Sequence, residues 1–490
     1  MSRWKWLVVG GLAVAIVTLV LVRRALHPPT LPVASRQAVF LSRVTVINPG
    51  SDRRANQTVL IRDGRVAAIS DSPPDTLPAF AYHQAGRYVL PGLIDMHVHL
   101  PVETVGLRGA FQTLFLSAGV TTVCQHGDAE GTITAAQQRV RDGEIAGPRI
   151  LLCGRLMDGG ARTDKYSRVV PDPAAAPRVV DDLAARGVDC LAVAAGLEGE
   201  RLAAVRDAAR RRGLAVFGQL PALPVGGGED AESSRSEDVW RLWQAADAVG
   251  ISAMVRAARQ SELAYVPTLT AWERWANLDH PGRTEAWANH VMPPIFPALL
   301  WNPRARAAQP FGPWGIGDLF VNLGHGPGRD AMPPEIRNAA LQTIMALVAM
   351  MRASGVPIHA GSDTPNPFLI PGISVLGEEL PRLVAVGMTL EEAWAAATRD
   401  AGTALGVPLL GELRPGAPAD LLVFREDPTK DWGALMTLEA VVADGRFYSA
   451  RRLDNARTGF ARFSRRWLSR ILSRFLLRRL VEPTAADSSP

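Results

Sequence analysis

Apolar and polar positions change rhythm several times along this chain, and each change predicts an element. Trp6 to Val22 is an uninterrupted run of apolar, glycine and threonine residues, flanked by Arg3 and Lys5 before it and Arg23 and Arg24 after it. Its length is at the short end of a bilayer-spanning helix, and Trp4 and Trp6 suit the interface. No small-x-small cleavage site follows and two arginines stand where cleavage would be prepared, so an N-terminal transmembrane helix is expected rather than a signal peptide. Charge on the two sides is nearly balanced, which leaves orientation open. The expected location is therefore the membrane, with the globular part on the periplasmic or extracytoplasmic side.

Further along, Thr58 to Val66 reads as two apolar runs around Asp63-Gly64, a hairpin signal. Pro91 to His99 ends an apolar strand with His97 and His99 on one face, since residues i and i+2 of a strand point the same way. Strands alternate with helical runs such as Arg201 to Arg212 and Asn338 to Ala353, which predicts a parallel α/β architecture. Gly226-Gly227-Gly228 lies in a polar, acidic stretch and reads as a loop, not a phosphate cradle. Near the end, Phe460, Phe463, Trp467, Ile471 and Phe475 recur at helical spacing while Arg462, Arg465, Arg466 and Arg470 occupy another arc, a pattern that blurs at Arg474, Arg478 and Arg479. Two readings stand open: a basic amphipathic helix on an anionic membrane surface, or a terminal helix packed on the protein with a solvated arginine face.

Composition changes this picture little. The 490 residues suffice for one barrel and a smaller appendage, and 47% hydrophobic with 21% charged residues describes a globular chain. The net charge of +5 is modest, and Lys5, Lys165 and Lys430 are the only lysines. The C-terminal arginines accompany an apolar stripe rather than a base-reading module, so nucleic acid is not an expected partner. Cys124, Cys153 and Cys190 are an odd set without C-x-x-C spacing, which indicates neither a disulfide framework nor a cysteine zinc knuckle.

The chemistry is concentrated in Pro91-Gly92-Leu93-Ile94-Asp95-Met96-His97-Val98-His99, where two imidazoles on one strand face can grip a metal ion. This string resembles the first barrel strand of the amidohydrolase superfamily, metal-dependent hydrolases of amides, ureas, lactones and related bonds, in its imidazolonepropionase and prolidase-like branch. The likeness recurs in order: Gly119 to Val123 resembles the second strand, Ala146 to Leu151 the lead into the third, Tyr265 to Leu269 the seventh, and Gly361 to Pro367 with Glu391 to Thr398 the eighth strand and closing helix. Gly411 to Val423 resembles the return to the small sheet domain. The resemblance implies an α/β fold with a (β/α)8 TIM-like barrel at 91–410, carrying an insertion or lid at 271–334. It also implies a small β-sandwich domain from 35–90 and 411–448. Around these stand the anchor and its flank at 1–30, the basic amphipathic helix at 455–482 and a tail at 483–490. Chemistry in such barrels sits at the C-terminal ends of the strands.

By the same resemblance, His97 and His99 are metal ligands of one divalent ion, most readily Zn2+. Asp363 is both a ligand and the catalytic carboxylate that takes a proton from a metal-activated water and passes it to the leaving nitrogen. Departures begin at the fourth strand, where the family's bridging lysine position is Ala192, and continue at the fifth, where Gln219 stands for a histidine. No histidine lies between Gln219 and Tyr265 to match the sixth strand. His126, just past the second strand, is a candidate additional ligand, and Cys124, His359, His325 and Gln219 are candidates for contact with substrate or ligands. Trp272, Trp275, Trp287 and Trp301 suit either a bulky apolar ligand or packing of the insertion. The expected function is hydrolysis of a carbon-nitrogen bond in a small-molecule substrate by a membrane-anchored, mononuclear enzyme, oligomerisation being open. The alternative is a barrel without turnover, retained as a binding or scaffold module at the membrane.

Overall fold

Asp63 and Gly64 take φ of +52° and +75°, the left-handed pair that a two-residue hairpin turn requires. They join β2 (Asp52–Arg62) to β3 (Arg65–Ser70), with Arg62 opposite Arg65. The computed structural model describes residues 28–72, 81–82, 86–100, 107–126, 132–157, 167–193, 197–218, 248–277, 333–364 and 375–464, together with Ile16 and Val20. With β1 (Val39–Asn48), β4 (Ala81–Tyr82), β5 (Tyr88–Pro91), β13 (Leu421–Phe424), β14 (Leu438–Ala443) and β15 (Arg446–Ser449), the hairpin forms one sheet in the order β15-β14-β13-β5-β1-β2-β3, β4 lying beside β1. Where a sandwich was expected, this is a single sheet folded over its own core of Leu41, Val59, Ile61, Leu421, Val423 and Val442. Its edges are drawn together through 416–419, where Val66 N donates to Ala417 O (2.9 Å) and Gly445 N to Ala419 O (3.0 Å).

The second sheet is parallel and curled. Its strands are β6 (Leu93–Val98), β7 (Val120–His126), β8 (Arg149–Met157), β10 (Cys190–Val193), β11 (Ala215–Gly218) and β12 (Ala264–Tyr265) in sequential adjacency, with β9 (Ser167–Val169) beside β8. Residues 357–364 bridge its two edges: Tyr265 N donates to Pro357 O, Met96 N to Ala360 O and Asp363 N to His97 O. The result is consistent with a TIM-like barrel. Among the described residues β12 is hydrogen-bonded directly to β11, so no strand stands between the fifth barrel strand and the Tyr265 segment. All six residues of β6 are buried, as expected of a parallel strand covered on both faces.

Helices cover the outside: α1 (Leu107–Ser117), α2 (Thr132–Arg141), α3 (Ala176–Ala185), α4 (Gly199–Arg212), α5 (Ala248–Ser261), α6 (Leu269–Ala276) and α7 (Pro334–Ala353). α8 (Val375–Ala385), α9 (Leu390–Ala396), α10 (Arg399–Ala404) and α11 (Ala450–Ser464) follow. The helical runs at 201–212 and 338–353 fall inside α4 and α7. α9 opens with a capping box, Thr389 and Glu392 each satisfying the other's backbone N–H, and its end accepts from β6 through Ile94 N to Ala397 O. Asp420, in the segment resembling the domain return, pairs with Arg149 of β8 at 3.0 Å and accepts from Asp444 N, locking the folded sheet to the lower end of the barrel.

One reading of the sequence is overturned here. Cys153 and Cys190 form a disulfide between β8 and β10, where the register sets them opposite each other with Cα atoms 4.5 Å apart. The pairing arises from strand adjacency across 37 residues of sequence, which Cys spacing alone could not show. Among the described residues no helix is long and apolar enough to cross a membrane. The expected anchor at Trp6 to Val22 lies outside them, apart from Ile16 and Val20, both helical and half exposed.

Candidate metal centre

His97 is the penultimate residue of β6, His99 follows the strand's last residue, and Asp363 sits on the bridging segment directly alongside. The backbones interlock, since Asp363 N donates to His97 O (2.7 Å) and His99 N to Thr364 O (2.7 Å). Asp363 holds φ of +57°, a left-handed conformation uncommon for a non-glycine residue and frequent at functional sites. Three donor atoms converge: His97 Nε2 to His99 Nε2 is 3.3 Å, His97 Nε2 to Asp363 Oδ1 is 3.3 Å, and His99 Nε2 to Asp363 Oδ1 is 3.2 Å. An equilateral triangle of that edge is one face of a tetrahedron whose centre lies about 2.0 Å from each corner, the distance at which zinc binds imidazole nitrogen and carboxylate oxygen. Among the described residues this is the group of three His, Cys, Asp or Glu side chains that could hold a metal ion.

The surroundings hold these groups in place. Asp95, fully buried, accepts from His97 N (3.2 Å) and Ser362 N (2.9 Å) through one oxygen, tying β6 to the bridging segment, while its other oxygen has no hydrogen-bond partner. Ser362 Oγ donates to Thr364 Oγ1 at 2.8 Å. Gly361 is required for closeness: a Cβ there would lie 2.3 Å from Val266 Cγ1 and 3.0 Å from His97 Cβ. His97 Nδ1 has no hydrogen-bond partner, and its ring is held by stacking on His126 with centroids 3.6 Å apart.

Burial pushes the Asp363 carboxyl up, but the His97 and His99 imidazoles beside it outweigh that effect and hold it well below the usual carboxylate range. Burial lowers the His97 pKa against the pull of Asp363. Burial, with His97 and His99 as further causes, lowers that of His126 strongly. His97 is therefore neutral near pH 7, with a lone pair free for a cation. Burial raises the Asp95 carboxyl to about 7 despite hydrogen bonds from Ser362 and His97.

The other expected residues divide. His126 stays outside the donor triangle: its Nε2 donates to Met96 O at 3.1 Å and its ring supports His97. Cys124 is buried with its thiol 3.7 Å from Met96 Sδ, and burial raises its pKa well above the ordinary thiol value, so it remains protonated. His359 faces away from the triangle, hydrogen-bonded to the Ala396 backbone near Asp400. Gln219, His325, Trp287, Trp301 and Lys165 lie outside the described residues, while Ala192 is buried in the barrel interior beside Cys190 and Phe217. Trp272 and Trp275 are buried and meet edge to face at 5.7 Å, so they pack α6 into the core. Reading the sequence missed Asp95, whose signal was a carboxylate inside an otherwise apolar strand. It also missed Glu379, which accepts from Leu269 N, Thr270 N and Thr270 Oγ1 and fixes the turn after β12.

The amidohydrolase family model matches residues 330–447. An imidazolonepropionase from Rhizorhabdus wittichii is 26% identical over 393 residues, spanning 74% of this chain and 88% of its own length. This chain belongs to the amidohydrolase superfamily. Among solved structures, a putative prolidase from Bifidobacterium longum aligns with TM-score 0.59 at 23% identity, over 85% of this chain and 95% of its own. A Xaa-Pro dipeptidase with bound methionine aligns with TM-score 0.57 at 19% identity, over 84% of this chain and 100% of its own. These two likenesses show the shared fold. The amidohydrolase is an enzyme, a hydrolase.

Proposed function

We propose that this amidohydrolase cleaves an amide-type bond, in a non-standard peptide or a cyclic amide, with one divalent ion, most readily zinc, held by His97, His99 and Asp363. The observation that carries the reading is the donor triangle with edges of 3.2–3.3 Å, since three Lewis-basic atoms are held at that separation in a mostly buried site. A bound ion supplies Lewis acidity there. Ala192 at the bridging-lysine position, with His126 directed to a backbone carbonyl, favours one ion over two.

The chain's own residues then divide the work. His97, kept neutral by burial, and His99 would hold the cation, and His126 keeps the His97 ring in its plane. The Asp363 carboxylate, ionised near neutral pH, accepts a proton from the attacking water through an oxygen and delivers it to the leaving nitrogen as the carbon-oxygen bond forms and the carbon-nitrogen bond breaks. Asp95 acts through His97 and Ser362 as a positioning residue. The imidazolonepropionase and prolidase names of its relatives suggest where to look for substrates: cyclic amides, dipeptides and N-acyl amino acids.

The Trp6 to Val22 run supports membrane attachment, and the Cys153–Cys190 disulfide supports an oxidising, extracytoplasmic compartment. A substrate panel of those three classes tests the catalytic reading. Turnover of at least one class, lost on chelation and regained with zinc, is the expected result. Metal-replete, folded protein that hydrolyses nothing in the panel would count against the amide assignment.

A further inference from the structure

Of the barrel strands β6, β7, β8, β10, β11 and β12, β8 alone contains arginine or lysine. Arg149, at its lower end, is spent on Asp420 at 3.0 Å. Arg155 stands further up the same strand, on the order of 20 Å away at the rise of an extended chain, toward the end where His97 and His99 lie.

Alternation along β8 decides where Arg155 points. Leu151 and Cys153 belong to the barrel interior with Ile94, Met96 and Cys124, whereas Leu152 and Leu156 pack under the helices. Gly154 faces outward as well, since a Cβ there would meet Leu183 of α3 at 2.9 Å. Successive strand side chains take opposite faces, so Arg155 shares the inward face of Leu151 and Cys153. Those two are buried while Arg155 is partly exposed, which places it at the mouth of the barrel.

Register brings that mouth position to the metal centre. Cys153 lies opposite His126 of β7, whose ring stacks on His97 at 3.6 Å. Arg155 is the next inward position above that level, opposite Ala192 of β10, which in turn lies opposite Phe217 of β11. Ala192 ends at its Cβ, so β10 puts little bulk beside the arginine. Directly below, the Cys153–Cys190 bridge ties β8 to β10 and makes a rigid support for the residue presented above it. Its charge is felt at both rings: after burial, Arg155 is a further cause that disfavours protonation of His97 and His126.

A fixed cation at this place calls for an anion. Among the described residues converging here, Asp363 supplies one negative charge against a divalent ion and a guanidinium, so the mouth is net positive and favours an anionic ligand. A guanidinium has five N–H donors, which a contact within the chain does not exhaust, and its planar fork matches the two oxygens of a carboxylate.

We propose that Arg155 is the subsite for a carboxylate of the substrate, carried close to the scissile amide and held in a bidentate ion pair while the amide lies at His97, His99 and Asp363. This selects N-acyl amino acids and dipeptides over neutral cyclic amides. Naming the carboxylate's owner as substrate rests on the proposed function, whereas the anion subsite itself does not.

Calorimetric binding to the full, zinc-supplied chain tests this, with N-arylsulfonyl derivatives of glycine, alanine, leucine and phenylalanine as probes, each against its own carboxamide. The sulfonamide resists amide hydrolysis, so affinity is read and turnover is not. At least one carboxylate should bind roughly ten- to a hundredfold more tightly than its carboxamide. Arg155→Met should erase that ratio, and Arg155→Lys, which keeps the charge without the fork, should retain part of it. A purely structural role would weaken both members of a pair alike and leave the ratio standing. So would a carboxylate that ligates the ion instead of Arg155. A ratio that survives in Arg155→Met, a parent with no preference for any carboxylate, or a panel in which nothing binds would each overturn the proposal. Should Arg155→Met not fold, an undiminished ratio in Arg155→Lys overturns the bidentate contact. Absence of turnover in the substrate panel leaves this affinity ratio untouched, so the two readings fail separately.

Discussion

Gly361→Ala is the smallest change that should dismantle the metal centre. Gly361 needs no left-handed backbone, so the effect of a methyl group there is steric. Its carbon would lie 2.3 Å from Val266 Cγ1 and 3.0 Å from His97 Cβ and N, whereas carbon-carbon contacts settle at roughly 3.5–4.0 Å. Relief requires a movement of about 1 Å between the bridging segment and its neighbours. Donors about 2.0 Å from a common centre tolerate only about 0.2 Å of displacement, so the triangle opens. Zinc affinity, measured by competition with a chromogenic chelator, should fall by roughly ten- to a hundredfold or more, while overpacking lowers stability by about 1–3 kcal/mol. Gly361→Ala combined with Val266→Ala removes the worst contact and should recover most of the lost affinity. A single variant that binds zinc within about threefold of the parent, at the precision such competition allows, would refute the idea that this close approach sets the donor geometry, as would a double variant no better than the single one.

Asp363→Asn, which removes a metal donor and the proton carrier together, should reduce kcat by roughly 10²–10⁴-fold, and turnover at close to the parent rate would contradict both roles. His359 is held neutral with its pKa lowered to about 4 by burial. The unfolded chain takes up that proton near pH 6.5, so this contribution to stability is complete above that value and is lost as pH falls toward 4, about 3 kcal/mol in all. Urea unfolding should therefore show the stability gap between the parent and His359→Leu narrowing by about 2 kcal/mol from pH 7.5 to 5; a gap independent of pH would contradict the assignment. Alkylation of the denatured, unreduced chain should modify Cys124 alone of the three cysteines. Removing the bridge with Cys153→Ala/Cys190→Ala should cost roughly 3–4 kcal/mol, and three alkylated cysteines without reduction would exclude the bridge.

What the sequence made legible was whatever local chemistry determines. The Asp63-Gly64 turn, the strand at 93–98, and the helices at 199–212 and 334–353 follow from turn residues and apolar periodicity, which act within a few residues. His97, His99 and Asp363 were legible because the two histidines share a strand face and the family string places the aspartate beside them. Relations between distant strands were not. The Cys153–Cys190 bridge depends on β8 lying beside β10 in a particular register. The direct pairing of β12 with β11 likewise could not be read from a missing histidine. Asp95 was passed over because a single carboxylate in an apolar strand declares no partner until the bridging segment brings Ser362 to it. His359, four residues before Asp363, was a candidate only for contact with substrate or ligands, and it is buried beside the Ala396 backbone and Asp400 instead.

All the chemistry proposed for this site requires that His97, His99 and Asp363 together hold one metal ion. Metal content of the purified full chain, compared with His97→Ala and Asp363→Asn, tests it most directly. About one zinc or similar divalent ion per chain, lost in both variants while far-UV circular dichroism stays unchanged, is the predicted result. Folded protein that takes up no metal even when zinc is supplied, or that keeps its ion after His97 is removed, would contradict it.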